Sequence, residues 1–577
     1  MPKGNQWTKQ QLRQQLAVLS GETAPTKVLK NATYLNFGLH KWVNANIWLY
    51  NDRIVYVGKE MPANNETTEI IDCEDHYVVP GYIEPHAHPF QLYNPLSLGQ
   101  YASQRGTTTL INDNLVLFLQ LSIKKALTFI EELDKMPLSY YWWGRYDAQT
   151  ELSAEKFTTK KMREWLAHPL VVQGGELTGW PGVLGGDDEI LDWMQETKRL
   201  GKQIEGHLPG ASDLTLTKLE LLGVTCDHEA MTGEEAYRRL SLGLTTSLRY
   251  SSIRPDLPDI LEQLLELGVD SFDRILMNTD GSTPAFYEQG ISDKLVSIAL
   301  SKGISPEDAY SMVTYNVARH YGMDDFHGMI APGRLAHLNI LSDKENPLPV
   351  SVIAKGEWIK KEGQECYPEV SFNWEKHGFK PLELDWSLTI DDLVYSSPVG
   401  IEMINSVITR PYNISIETSI EQLSNDNDEC FFSMVDRNGK WRINTLLKGF
   451  VKNIGGFAST YSNTGDIFII GKNKNDMLAA FNHVTEKGGG IALVEDGEVI
   501  AEIDLPLLGG MSRNRMEDLM EEEKSLVREL KRRGYPFEDP IYSLLFFSST
   551  HLPYVRITQP GIYDVKKKTV LFPSIMR

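Results

Sequence analysis

The sequence predicts an α/β chain built around a (β/α)8 barrel, and three observations carry that prediction. Between about Pro80 and Gly328, short β-rich runs alternate with stretches of helical period. The strand-like runs number eight, which is what a closed parallel barrel requires. Six side chains able to bind a metal sit at or just past the C-terminal ends of these runs, and in such a barrel those ends share one face.

The first run, Val79-Pro80-Gly81-Tyr82-Ile83-Glu84-Pro85-His86-Ala87-His88, ends in two histidines at i, i+2. An extended backbone puts both imidazoles on one face, so they converge on one point. A His-x-His pair alone is often part of a polar loop, and its weight here comes from the strand ends downstream. The later runs end at Asn112 (Thr107–Asn112), near Trp143, at Glu176 (Val171–Glu176), at His207 (Gln203–His207), at His228 (Val224–His228), at Arg249 and at Asp280 (Ile275–Asp280). Helical stretches such as Asp188–Leu200 and Gly233–Leu242 separate them.

Strand-rich segments flank the barrel on both sides. Ala45–Tyr50 and Arg53–Gly58 read as a hairpin turned at Asn51-Asp52, and a similar pair is expected from Ala336–Leu341 and Val352–Ile359. We expect residues 27–79 and 329–365 to form one small β-sandwich, with 80–328 as the inserted barrel. Residues 1–26 read as an N-terminal arm, with a polar helix from about Asn5 to Ser20 whose Leu12, Leu16 and Leu19 share a side. Residues 380–577 read as a separate α/β domain. In it Ile467–Ile470 is a strand, Asn475–Thr485 a helix, Ile491–Ile503 a hairpin turned at Asp496-Gly497, and Arg515–Arg533 a helix ending at Gly534. The Gly488-Gly489-Gly490 run lacks the Gly-Lys-Ser/Thr ending of a phosphate loop and reads as a helix-to-strand turn.

Composition narrows the functions. The chain has 577 residues, too many for one core, and 41% are hydrophobic. A net charge of -21 would repel a nucleic acid over most of the surface, but it is compatible with a small neutral substrate. No apolar run reaches membrane-spanning length, and the N-terminus shows no hydrophobic signal core, so we expect a cytoplasmic protein. Its four cysteines, Cys73, Cys226, Cys366 and Cys430, are scattered, which fits a reducing compartment and argues against a thiolate metal site. A homo-oligomer is the default expectation.

The candidate ligands are His86, His88, Glu176, His207, His228 and Asp280. Each has a plainer reading: a hydrogen-bonded loop histidine, a helix cap at Glu176, a turn at Asp280-Gly281. Those readings would have to hold six times on one rim. Four imidazoles and two carboxylates exceed what one tetrahedral ion needs and suit two divalent ions with a bridging carboxylate and a shared hydroxide. The oxygen and nitrogen donors suit manganese, iron or zinc and do not choose among them. Asp280 is placed to accept a proton from the attacking water and pass it to a leaving group. Arg249 either orients the substrate or partners a carboxylate.

These motifs resemble the amidohydrolase superfamily and, within it, the bacterial adenine deaminases. The resemblance rests on Pro80–His88, Gly175-Glu176-Leu177-Thr178-Gly179-Trp180-Pro181-Gly182-Val183, Glu205-Gly206-His207-Leu208-Pro209-Gly210, Asp227-His228-Glu229, Leu248-Arg249, Thr279-Asp280, Asn316–Gly322 and Ile330–Arg334. It continues through Leu447–Val451 and Lys487–Val499 in the C-terminal domain. It implies a metal-dependent hydrolase in which Glu176, rather than a carboxylated lysine, bridges the metals. The chain departs from the family at Asp113-Asn114-Leu115-Val116, where only the aspartate of an Asp-Pro-His-Glu run survives. It departs again at Ser462-Asn463-Thr464-Gly465 and at Gly281-Ser282-Thr283. These are the segments expected to grip a purine and protonate its ring. Asp113 is the remaining candidate acid there, provided its pKa is raised.

The leading expectation is hydrolytic deamination of adenine to hypoxanthine and ammonia by a hydroxide activated between two metals. The alternatives are an amidohydrolase for another cyclic amide or aminopurine-like heterocycle, and a non-catalytic ligand-binding paralogue.

Overall fold

The computed structural model describes residues 7–150 and 157–576. Eight parallel strands form the nearly closed barrel: β1 (Tyr82–Ala87), β2 (Thr107–Asn112), β3 (Ser139–Gly144), β4 (Val171–Leu177), β5 (Gln203–Gly206), β6 (Cys226–Asp227), β7 (Thr245–Arg249) and β8 (Ile275–Asn278). They hydrogen-bond in chain order, β1 through β8. The first and last strands lie side by side, where the backbone and hydroxyl of Thr279 donate to Glu84 Oε2 at 3.1 and 2.9 Å. Every expected strand end falls within two residues of an observed one.

Helices cover the outside of the barrel. Ile123–Leu133 buries Ala126, Phe129, Ile130 and Leu133, and Asp188–Arg199 buries Ile190, Trp193 and Met194. The second helix is capped by Asp187, with Asp188 and Glu189 in its first turn and Lys198 and Arg199 in its last. That charge order complements the helix dipole. No helix among the described residues is long and apolar enough to cross a membrane.

Strands from both flanks of the barrel join in one nine-stranded hydrogen-bonded network. Its seam pairs Tyr77–Pro80 with Leu338–Leu341, antiparallel, with Leu338 opposite Pro80. Leu29, Ile47, Ile54, Val78, Leu338 and Ile353 form a common core. One expectation needs correction: Val352–Ile359 is not a single strand. Lys355 and Gly356 both have positive φ (45° and 81°) and turn the chain between Ser351–Ala354 and Glu357–Lys361, giving a meander. A Cβ on Gly356 would lie 1.8 Å from the carbonyl oxygen of Asn51, so this turn has room for glycine alone.

The N-terminal helix is Lys9–Leu19, capped by Thr8 and Gln11; the Asn5 start expected for it lies outside the described residues. Its apolar stripe faces outward, with Leu16 65% exposed, and Val18 anchors it against Val28, Trp48 and Val55. The C-terminal part carries a second nine-stranded sheet, a three-stranded sheet and the helix Met516–Arg532. The hairpin Gly490–Glu495/Glu498–Asp504 turns at Asp496-Gly497, and the triple glycine leads from the helix Lys474–Glu486 into it. Segments of this part lie over the C-terminal mouth of the barrel and help line the cavity there.

Candidate metal centre

All six expected ligands converge at that mouth. Strand β1 presents Glu84 and His86 on one inward face, and His88 follows on the same side. Three overlapping groups of potential ligand atoms lie within 4.8 Å of one another: His86, His88 and Asp280; His86, Glu176 and His228; His207, His228 and Glu229. His88 Nε2 is 2.9 Å from Asp280 Oδ1, and His86 Nε2 is 3.7 Å from the same oxygen. Glu176 Oε1 lies 2.7 Å from His207 Nδ1 and 3.7 Å from His228 Nε2.

The ring orientations have an identifiable cause. Glu205 accepts from His86 Nδ1 through Oε2 and from His228 Nδ1 through Oε1, both at 3.1 Å. One carboxylate therefore turns the Nε2 lone pairs of two imidazoles toward the centre, the outer arrangement typical of metal-bound histidine. Glu205 is itself held by Gln173 Nε2 at 2.7 Å, and Gln173 Oε1 accepts from the Tyr321 hydroxyl at 2.7 Å. His86 Nε2 is buried without a hydrogen-bond partner among the described residues.

Charge gives an independent test of whether the residues fit a metal. Asp113, Glu176, Glu205, Glu229 and Asp280, all held below the usual carboxylate range, face three guanidiniums among the described residues, those of Arg145, Arg249 and Arg254, while burial pushes Glu84 up to about 7. Buried carboxylates in excess need cations. Without metal, protons on histidine supply part of that charge. Burial opposes the charged ring of His88, but bonds to Asp113 and Asp280 lift its pKa to about 10. Burial likewise opposes the charged ring of His228, and Glu205 leads the carboxylates that raise it to about 9. A divalent ion would replace those protons. The residues fit one.

Asp280 sits at φ 50°, an uncommon backbone for a residue with a side chain. It is held there by the Gly281 N–H on Oδ1 (2.6 Å) and by Arg249 Nη1 on Oδ2 (2.5 Å). Arg249 Nη1 is also 2.8 Å from Glu229 Oε1. Arg249 therefore partners carboxylates while remaining on the cavity wall. Arg254, which sequence reasoning did not single out, holds Glu229 from the other side at 2.6 Å.

Asp113 does not meet the condition set for it as an acid. Burial pushes its carboxyl up, but Arg145 (2.8 and 3.0 Å) and His88 (3.0 Å) outweigh burial and hold it well below the usual carboxylate range. Trp143 Nε1 donates to it as well, at 2.9 Å. Asp113 orients His88, and it is an unsuitable proton donor. Arg145 also spans to Glu176 Oε2 at 2.8 Å.

The centre opens into a cavity of about 290 Å³. Leu115, Val116, Gly281, Ser462, Asn463 and Gly465 all line it, so the three segments that depart from the expected pattern meet on its wall. Tyr461, Tyr542 and His551 complete it from the C-terminal part. Of the residues sequence reasoning left without a role, Glu84 and Glu205 had a readable signal, since each precedes a ligand histidine by two on its strand. Glu229 adjoins His228. Arg145, Tyr542 and His551 had no local signal.

A parallel eight-stranded barrel with imidazoles and carboxylates gathered at its C-terminal mouth is the architecture of an amidohydrolase, and the amidohydrolase family model matches residues 77–359. The model of the adenine deaminase C-terminal domain matches residues 406–569. A protein of Halalkalibacterium halodurans named "putative adenine deaminase" is 61% identical over 99% of both chains, and one of Bacillus subtilis with the same description is 53% identical over 99% of both. An adenine deaminase of Cenarchaeum symbiosum is 27% identical over 96% of this chain and 94% of its own. The chain belongs to the adenine deaminase family of amidohydrolases, and it is a hydrolase acting on C–N bonds of cyclic amidines.

Proposed function

We propose that the protein deaminates adenine hydrolytically, giving hypoxanthine and ammonia, at a centre of two divalent ions, manganese or iron ahead of zinc. The observation that carries this reading is the meeting of His86, His88, Glu176, His207, His228 and Asp280 beside a small cavity lined in part by segments of the C-terminal domain. His86, His88 and Asp280 would hold one ion, His207 and His228 the other, with Glu176 between them; Glu229 is an added candidate on the second side. Such ions supply a water-derived nucleophile at neutral pH.

The chain's own residues do the rest. Glu205 keeps two rings turned inward, and Arg249 keeps Asp280 in place. Arg249 and His88 hold the Asp280 carboxyl well below the usual carboxylate range, so it stands ionised as the acceptor of the attacking water's proton, which passes from it to the departing amino group as the C–O bond forms and the C–N bond breaks. Leu115, Phe546 and Leu545 face the cavity with apolar surface suited to a flat ring. Activity on a different cyclic amide or aminopurine is the second reading, favoured by the altered wall at Leu115, Val116 and Asn463.

The test is ammonia release from adenine by protein loaded with manganese or iron, beside a panel of aminopurines and cyclic amides. Turnover of adenine supports the first reading. Full metal loading with no release from adenine removes it.

A further inference from the structure

Among the described residues several polar atoms of the cavity lining lack a hydrogen-bond partner, and one of them is the Tyr542 hydroxyl. Tyr542 lies on the helix Pro540–Phe546 and is 4% exposed, and its hydroxyl has no hydrogen-bond partner among the described residues. Burying a hydroxyl unpaired costs stability, so a partner from outside the chain is the economical explanation. Its ring packs against Phe546 at 5.5 Å between centroids, on a helix capped by Asp539, whose Oδ1 accepts from the Tyr542 backbone N–H at 3.0 Å.

A second, independent observation comes from the neighbouring Gly281. A Cβ built on Gly281 would lie 2.2 Å from Tyr542 Oη, whereas the next atoms, His88 Cδ2 and Gln91 Nε2, are 3.3 and 3.4 Å away. The φ of Gly281 is outside the left-handed region, so the position needs the absence of a side chain and not glycine's backbone freedom. Gly281 follows Asp280 directly, in a segment where the sequence departs from the family pattern. The missing side chain and the tyrosine hydroxyl fill the same space.

We propose that Tyr542 is a substrate-contacting, specificity-determining residue whose hydroxyl donates a hydrogen bond to the ring nitrogen beside the carbon that loses its amino group. This rests on the deamination reading. Attack at that carbon pushes an electron pair onto the adjacent ring nitrogen, and a fixed donor there stabilises the charge as it develops. The hydroxyl lies beside the residue that follows Asp280, on the side of the cavity where the reacting carbon must sit. Asp113 is unfit for this task because Arg145 and His88 occupy its carboxylate. The phenol keeps its proton throughout.

The experiment compares full-length wild type, Tyr542→Phe, Gly281→Ala and the double variant. It reads metal content, ammonia release, and calorimetric binding of adenine and of 1-deazaadenine, which carries C–H in place of that nitrogen. Tyr542→Phe is expected to weaken adenine binding roughly 10-fold and lower kcat on the order of 10²-fold, with metal content unchanged. Binding of 1-deazaadenine should be the same in wild type and Tyr542→Phe. Gly281→Ala should reproduce the loss in wild type by displacing the hydroxyl, and add little in the Tyr542→Phe background. Equal losses for both ligands, or no loss for either, overturn the assignment. Wild type that binds adenine without releasing ammonia sinks the deamination reading while the binding comparison still decides Tyr542, and wild type that binds neither ligand sinks both.

Discussion

Glu205 holds two imidazoles with its two oxygens, so its loss should release His86 and His228 together. Glu205→Gln leaves one acceptor where two N–H groups need one each. We expect a metal affinity lower by roughly 10- to 100-fold, read by titration against a competing chelator. Unchanged affinity would mean that the ring orientations are set elsewhere. Asp113 makes the complementary point: identity and position suggested an acid, and the neighbouring Arg145 reversed its chemistry.

At the scale of single elements, the helix Ile123–Leu133 is fastened by Phe129, fully buried between Trp142 of β3 and Trp374 and Phe379 from the stretch leading to the C-terminal domain. Phe129→Ala should cost about 3–5 kcal/mol, measured by urea unfolding monitored through tryptophan fluorescence. The helix Met516–Arg532 is fixed to the barrel by Glu523, which accepts from the Ala285 N–H at 2.6 Å. Burial pushes the Glu523 carboxyl up to about 8, from 4.5. The folded protein therefore binds this proton more tightly than the unfolded chain does. The stability it contributes is complete below about 4.5 and is lost as pH rises through about 8. Wild type should lose more unfolding free energy than Glu523→Gln between about pH 5 and about pH 9. Parallel pH profiles would show that the proton is not held in the folded state.

For the whole molecule, the excess of buried carboxylates at the barrel mouth ties stability to cation occupancy. An ion held at 1,000 times its Kd stabilises by about 4 kcal/mol. Stripping the protein with a chelator should lower its Tm, and adding manganese or iron back should restore it, as read by calorimetry. A melting curve indifferent to chelation would argue against a resident metal. The same mouth receives the C-terminal domain, so the cavity is complete only when both parts are in place.

The sequence by itself determined the eight strands, their ends within two residues, the candidate ligand histidines and acids at those ends, and the hairpin turns at Asn51-Asp52 and Asp496-Gly497. These features depend on period and on residues adjacent in the chain, which is where a single sequence carries information. It misread Val352–Ile359, where a run of strand-forming residues hid the Lys355-Gly356 turn. Only the tertiary structure decided that Glu205 reaches His86 across 119 residues, that Arg145 neutralises Asp113, and that Tyr542 meets Gly281 over the site. Such contacts leave no local periodicity behind, because the environment that sets a pKa or leaves a hydroxyl unpaired is assembled by packing between distant segments.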